Sequence, residues 1–382
     1  MIARLGDICE KKIDTIKAAY KGDIDYVDIS SIDNQRKIIT QIQSMSIEDA
    51  PSRAKQLVFP GDILVSTVRP NLNAVALITK NTDNALVAST GYCVLRCLPN
   101  ADNKYVFYFC QSPTFIEKLV VQATGASYPA VTSAIIRECA LPLPPLEEQR
   151  KIAAVLDKVS GLIAKRRQQL DKLDELVKSR FIEMFGDVPE EEKVTIAEIC
   201  KIITDGTHQP PKFTNTGIPF LFVSNIITND ICYDAEKFIS KETYAELIKR
   251  TPIEIGDILL STVGSYGHPA IVKTDRRFCF QRHIAYLKPK SDMVKSEYLR
   301  GAILSDNVQR QIDERVKGIA QKTLNLSEIR KIRLPLPPMK LQEKFTTFVV
   351  QTDKSKLVIQ KSLERLEILK KALMQEYFVG GK

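Results

Sequence analysis

The sequence predicts an α+β fold: two pseudo-repeated mixed α/β domains separated by two long antiparallel coiled-coil helices. Three observations predict it. The pentapeptide LPLPP stands at Leu141–Pro145 and again at Leu334–Pro338. Two further landmarks recur in the same order: LGDIC (Leu5–Cys9) answers IAEIC (Ile196–Cys200), and GDILVSTV (Gly61–Val68) answers GDILLSTV (Gly256–Val263). Their offsets are 191, 195 and, for LPLPP, 193 residues, so the frame holds while short loops vary. Finally, each LPLPP is followed by a long charged stretch with apolar residues at helical spacing. Repeats of this kind mark a duplicated architecture.

The first domain is expected over residues 1–145. Its short apolar runs, bounded by Gly, Pro and Asn, read as strands. DILVSTV and, in the second repeat, DILLSTV are the clearest cases, each led in by a Gly-Asp turn. That turn reads as structural punctuation rather than a ligand site. Helical periodicity marks residues 104–120 and the corresponding 296–312. Proline cannot continue a helix, and the residue before it avoids helical angles. LPLPP is therefore a stiff, extended joint, and a helix can begin at Leu146. Glu147 and Glu148 then fall in the first turn, where negative charge is favourable.

The central spacer helix is assigned to residues 146–187. Leu156, Val159, Ile163, Leu170, Leu173 and Val177 step by three and four along a heptad seam, interrupted by Arg166 and Arg180. The two arginines are expected to pair with acids of a partner helix. The second domain is assigned to 188–338 and the distal spacer helix to 339–382. The distal seam is expected at Ile359, Leu363, Leu366, Leu369 and Leu373, with Thr352 and Lys356 weakening it upstream. Forty helical residues span about 60 Å. Two such helices can bury their stripes against each other, antiparallel if the domains sit at opposite ends, and would then act as a ruler between two non-identical heads.

The chain has 382 residues and a net charge of +9. Residues 1–187 hold 24 basic and 22 acidic side chains; the remainder holds 31 and 24. A basic balance suits a polyanion partner. No leader peptide is legible after Met1, and no apolar run approaches the ~18 residues of a membrane helix. We therefore expect a soluble, cytoplasmic chain that engages no membrane. The eight cysteines and three histidines show no metal-ligand spacing, so no metal site is expected. The sequence also lacks a phosphate-binding G-x-x-x-x-G-K-[ST], a G-x-G-x-x-G, an Asn/Asp-Pro-Pro-aromatic run and a G-x-S-x-G elbow. No catalytic residues are assigned. Composition and seam alone still admit a coiled-coil scaffold that binds only proteins.

The residues resolve that alternative by resemblance. LPLPPLEEQRKIAAVLDKV after one variable domain and LPLPPMKLQEKFTTFVV after the other closely resemble the specificity subunit of type I restriction–modification systems. FPGDILVSTVRPNLNAVALI (59–78) and TDGTHQPPKFTNTGIPFLFVSNI (204–226) look like segments of that family's target-recognition domains. The resemblance implies a non-catalytic subunit whose two domains each read one half of a split, asymmetric duplex target. It implies two methyltransferase subunits docked on the chain, joined by restriction subunits. It places S-adenosylmethionine, ATP and Mg²⁺ in those partners, with no cofactor in this chain.

Base edges are read by Arg, Lys, Asn and Gln, and phosphates by basic and hydroxyl side chains. Recognition groups concentrate on loops carried by a rigid scaffold. In the first domain TVRPNLN offers Arg69, Asn71 and Asn73, and QATGASYPAVT offers Ser127 and Tyr128. In the second, DGTHQPPKF offers Thr207, His208, Gln209 and Lys212; STVGSYGHP offers Ser265, Tyr266 and His268. DRRFCFQRHI adds Arg276, Arg277, Gln281 and Arg282, and VKGIAQKTLN adds Gln321 and Lys322. His283, in an apolar alternation, reads as a hydrogen-bonded core histidine.

Overall fold

The computed structural model describes all residues except 18, 126, 187, 188, 190, 191, 319, 320 and 380–382. The boundary expected between residues 187 and 188 and the last three residues of the distal helix lie outside the described residues. The chain divides into two units. Unit 1 is Met1–Gln168 with Gln360–Lys382, and unit 2 is Gln169–Ile359. Each unit thus combines one mixed domain with part of each long helix.

In unit 1 the strand Ile63–Ser66 lies between Tyr92–Leu95 and Val75–Leu77, antiparallel to both, and is buried throughout. A second sheet runs in the order Gln43–Ser46, Asp23–Val27, Ala85–Ser89, Ala54–Leu57, with its central pair parallel. In unit 2 the equivalent strand Ile258–Ser261 is again central and fully buried, between Pro269–Ile271 and Ile284–Pro289. Cys200–Asp205 extends that sheet. Short apolar runs rich in β-branched residues, bounded by turns and buried on both faces, form strands rather than helix fragments. The Gly-Asp turn is structural in both units. Asp62, buried, accepts from Phe59 N at 2.9 Å and pairs with Arg96 at 2.8 Å. Asp257, also buried, accepts from Glu254 N at 2.7 Å and from the Tyr286 hydroxyl at 2.6 Å.

The two segments marked by helical periodicity are each broken into two helices. Asn103–Phe109 is followed by Pro113–Gln122, and Ser296–Ile303 by Asp306–Arg315. Ser112 caps the restart by accepting from Phe115 N, and Ser305 does the same for Val308 N. A serine N-cap, reinforced in the first copy by Pro113 at the first helical position, outweighs the continuing apolar period.

The proline joints show why the pentapeptide recurs. Each forms a short strand against the start of its own domain: Ala140–Pro142 pairs with Ile2–Arg4, and Arg333–Pro335 with Lys193–Thr195. Four positions past the last proline of each joint a glutamine is fully buried. Gln149 accepts from Asp102 N at 2.8 Å and donates to Asn100 O at 3.2 Å and Pro144 O at 2.9 Å. Gln342 accepts from Lys295 N at 2.9 Å and donates to Met293 O at 3.0 Å and Pro337 O at 2.9 Å. Tyr105 and Tyr298 likewise donate to Pro142 O and Pro335 O. Every partner in one set lies 193 residues from its counterpart in the other.

The long helices run Leu146–Phe185 and Met339–Val379. Within unit 1, Leu156 packs in one core with Met374 and Phe378, while Arg167 pairs with Glu367 at 2.7 Å. Within unit 2, Lys356 pairs with Asp174 and Phe181 packs on Phe345. Partner numbers fall along one helix as they rise along the other, so the segments are antiparallel in each unit. Leu156, Val159, Ile163 and Val177 are buried; Leu170, Leu173, Ile359, Leu363, Leu366 and Leu373 are half-buried. Leu369 corrects the expected seam: it is 45% exposed, and Lys370 takes the position. The heptad alternates steps of four and three, which carries the seam from Leu366 to Lys370 and then Leu373. Arg180 is a second correction. It pairs with Glu183 of its own helix at 2.8 Å and lies over the Phe348 ring.

Candidate nucleic-acid interface

The two loops singled out in the first domain, and the corresponding two of the four in the second, are stitched side by side. In unit 1, Val68 bridges Ala130, Val131 N donates to Thr67 O at 2.8 Å, and Arg69 N donates to Pro129 O at 2.7 Å. In unit 2, Val263 bridges Thr323, Leu324 N donates to Thr262 O at 2.8 Å, and Gly264 N donates to Lys322 O at 3.1 Å. The second loop closes on itself the same way in both, through Thr124–Ala130 and Lys317–Thr323 bridges. Gly125 (φ +101°) and Gly318 (φ +108°) turn these loops, at an angle that side-chain-bearing residues rarely adopt. The core strand ends, the loop begins, and the side chains beyond are free to differ between the units.

In unit 1 this places Arg69, Asn71, Ser127 and Tyr128 on an exposed surface. The Arg69 guanidinium lies 4.8 Å from the Tyr128 ring centroid. Asn73 is a correction: it is buried, and its carboxamide donates to Cys110 O at 2.8 Å and accepts from Lys37 Nζ at 2.7 Å. It anchors the loop and has no free edge for a base. Lys37, which sequence reasoning missed, holds Asn73 from below. Burial pushes the Lys37 amine down to about 8, and Lys370 nearby adds to the shift.

In unit 2 a cleft of about 460 Å³ is lined by Asp205, Thr262, Arg282, His283, Gln321 and Asn325. It brings together the predicted Arg282 and Gln321, both exposed, from segments forty residues apart in sequence. Asp205 joins them and also holds His208 at 2.9 Å and Arg250. Arg250 was missed because nothing local in its helix-end segment marks it. Thr207 bridges Gln281 in the backbone, and its hydroxyl donates to Gln209 O at 2.8 Å. Burial, with Arg282 alongside, holds the His283 pKa below the ordinary histidine value. Exposed guanidinium and carboxamide donors around a carboxylate form a surface able to donate to and accept from base edges.

Other predicted residues fall elsewhere. Arg276 and Arg277 stack over Tyr233 at 5.0 Å and Tyr244 at 6.0 Å, beside a separate cleft of about 320 Å³. Tyr266 is half-buried: it packs on the domain core and its hydroxyl donates to Asp313 at 3.0 Å. His268 lies 3.2 Å from both Asn229 Oδ1 and Ser265 Oγ, and burial lowers its pKa. Lys212 and Lys322 are exposed. Among the described residues no group of three or more His, Cys, Asp or Glu could hold a metal, and no helix is long and apolar enough to cross a membrane.

The chain thus carries two diverged copies of one α+β domain, each presenting a polar loop pair and each clasped to the long helices. The family model for the type I restriction modification DNA specificity domain matches residues 1–174 and 190–368. The chain belongs to that family, as a specificity subunit with two target-recognition domains. It is non-catalytic; the catalytic activities of such systems lie in the methyltransferase and restriction subunits. The type I restriction enzyme MjaIX specificity subunit of Methanocaldococcus jannaschii is 23% identical over 388 residues, covering 96% of this chain and 88% of that one. The EcoBI specificity subunit of Escherichia coli is 23% identical over 323 residues, covering 75% and 68%. The solved S subunit from M. genitalium shares the fold at a TM-score of 0.54 and 15% identity, over 99% of this chain and 96% of that one. A chain from a structure on complex assembly and conformational transition of the type I R-M system has a TM-score of 0.54 at 23% identity, over 99% and 97%.

Proposed function

We propose that each domain reads one half of a bipartite, asymmetric duplex target and that the paired helices set the gap between the halves. The helices also dock two methyltransferase subunits, which restriction subunits join. S-adenosylmethionine, ATP and Mg²⁺ are held by those partners. One observation carries this reading: the stitches that build the two loop pairs match, at offsets of 195 residues in the first loop and 193 in the second, while the exposed residues they present, Arg69 and Tyr128 against Gly264 and Gln321, do not. Identical mounts with unlike tips are what a reader of two different half-sites needs. The test is to map methylated adenines in DNA from cells expressing the chain with its methyltransferase partner. A split motif is expected. Replacing residues 1–140 by the corresponding domain of another family member then alters one half only. A contiguous motif, or a change in both halves, overturns the reading.

A further inference from the structure

We infer that Arg69 is a base-reading residue of the first domain, directed at the major-groove edge of a guanine, and that Tyr128 is its positioning residue. The inference rests on the reading of this domain as a DNA reader. It starts from a comparison the molecule makes with itself. Arg69 and Gly264 occupy the same place in the two repeats: each follows the central strand by three residues, and each donates its N–H to the second loop. Both are left-handed, with φ of 48° and 72°. Unit 2 fills that conformation with glycine, the residue that adopts it freely. Unit 1 keeps an arginine there, where a Cβ is disfavoured. The backbone therefore gives no reason for arginine, and what it gains lies in the side chain.

That side chain is held ready. Its guanidinium stacks over the ring of Tyr128, a residue that is 69% exposed. No hydrogen bond or ion pair of the Arg69 side chain is found among the described residues. The loop beneath is fixed by the Arg69–Pro129 bond, by buried Pro70 and by the Asn73–Cys110 bond. A rigid mount, an aromatic shelf and exposure to solvent leave the planar fork of donors open to a ligand. Guanine O6 and N7 match that fork in the major groove. A fixed fork is also favoured entropically over a free one, because fewer rotamers are lost on binding.

The experiment uses the chain in complex with its methyltransferase partner and duplexes carrying the mapped target and each single-base-pair change in it. Arg69→Gly is the informative variant, since unit 2 shows that glycine suits this backbone. The expected result is a melting midpoint close to the parent's and loss of about 10- to 100-fold discrimination at one G·C pair of the first half-site, with the second half-site unchanged. Tyr128→Phe keeps the ring and the discrimination; Tyr128→Ala relaxes the same base pair. Arg69→Lys keeps the charge but not the fork and relaxes that pair as well. Uniform weakening across all duplexes would mean a phosphate contact and would overturn the inference. So would discrimination retained at every position. A parent complex that reads no split target would instead overturn the underlying reading.

Discussion

Lys370 occupies a seam position that heptad spacing reserves for an apolar side chain. Burial pushes its amine down to about 8, and Arg167 adds to the shift, against opposing pulls from Asp157 and Glu367. It bonds Gln111 Oε1 at 3.2 Å and lies 5.3 Å from the Tyr108 ring centroid. Lys37, also depressed to about 8, faces it, with Asp33 opposing the shift. Between about 8 and the ordinary lysine value of 10.5 the unfolded chain holds protons that the folded chain has released. Stability from these two amines therefore rises with pH across that window, and below it the burial penalty is present in full. The melting midpoint of unit 1 is expected to climb between pH 8 and 10 by scanning calorimetry. Lys370→Met raises the midpoint at pH 7 and flattens that climb. An unaltered pH profile in the variant would show that Lys370 does not cause it. Arg69 was legible from sequence as a polar residue in a proline-containing loop. Its left-handed backbone was not, because the bond that holds it comes from Pro129, sixty residues away. Asn73 misled for the same reason: Cys110, the partner that occupies it, is brought in by tertiary structure.

Among the elements, the joint between domain and helix carries the most concentrated polar chemistry. Gln149→Leu removes three hydrogen bonds and leaves buried main-chain groups without partners. At about 1–3 kcal/mol for an orphaned buried group, the expected loss is roughly 2–4 kcal/mol. Gln342→Leu is expected to cost a similar amount in unit 2. Denaturant midpoints of the two units would check this, with an unchanged midpoint counting against the clasp. The joints and the central strands were readable because proline chemistry and β-branched runs are local signals. The helix breaks were readable too, in Ser112–Pro113, but the apolar period ran through them and hid the cap. The shift from Leu369 to Lys370 shows a further limit. An apolar residue one position away competes with the true seam in sequence, and only the facing helix decides between them.

At the scale of the whole molecule, both long helices belong to both units, so each helix is common to the two readers. Removing one heptad from each, in register across the seam, keeps the alternation of four and three. It shortens each helix by about 10 Å. That is about three base pairs of duplex at 3.4 Å per step. Methylation mapping is expected to show both half-site sequences intact and the gap reduced by about that number. Altered half-sites with an unaltered gap would reject the ruler. The glutamine clasp adds a consequence for how such proteins diversify. Every atom that Gln149 and Gln342 grip is main chain, so the socket is blind to the side chains around it. A foreign head with the same backbone course is expected to keep these three hydrogen bonds at either joint. Of the contacts between head and rod, this grip is the part that a shuffled module would carry over unchanged.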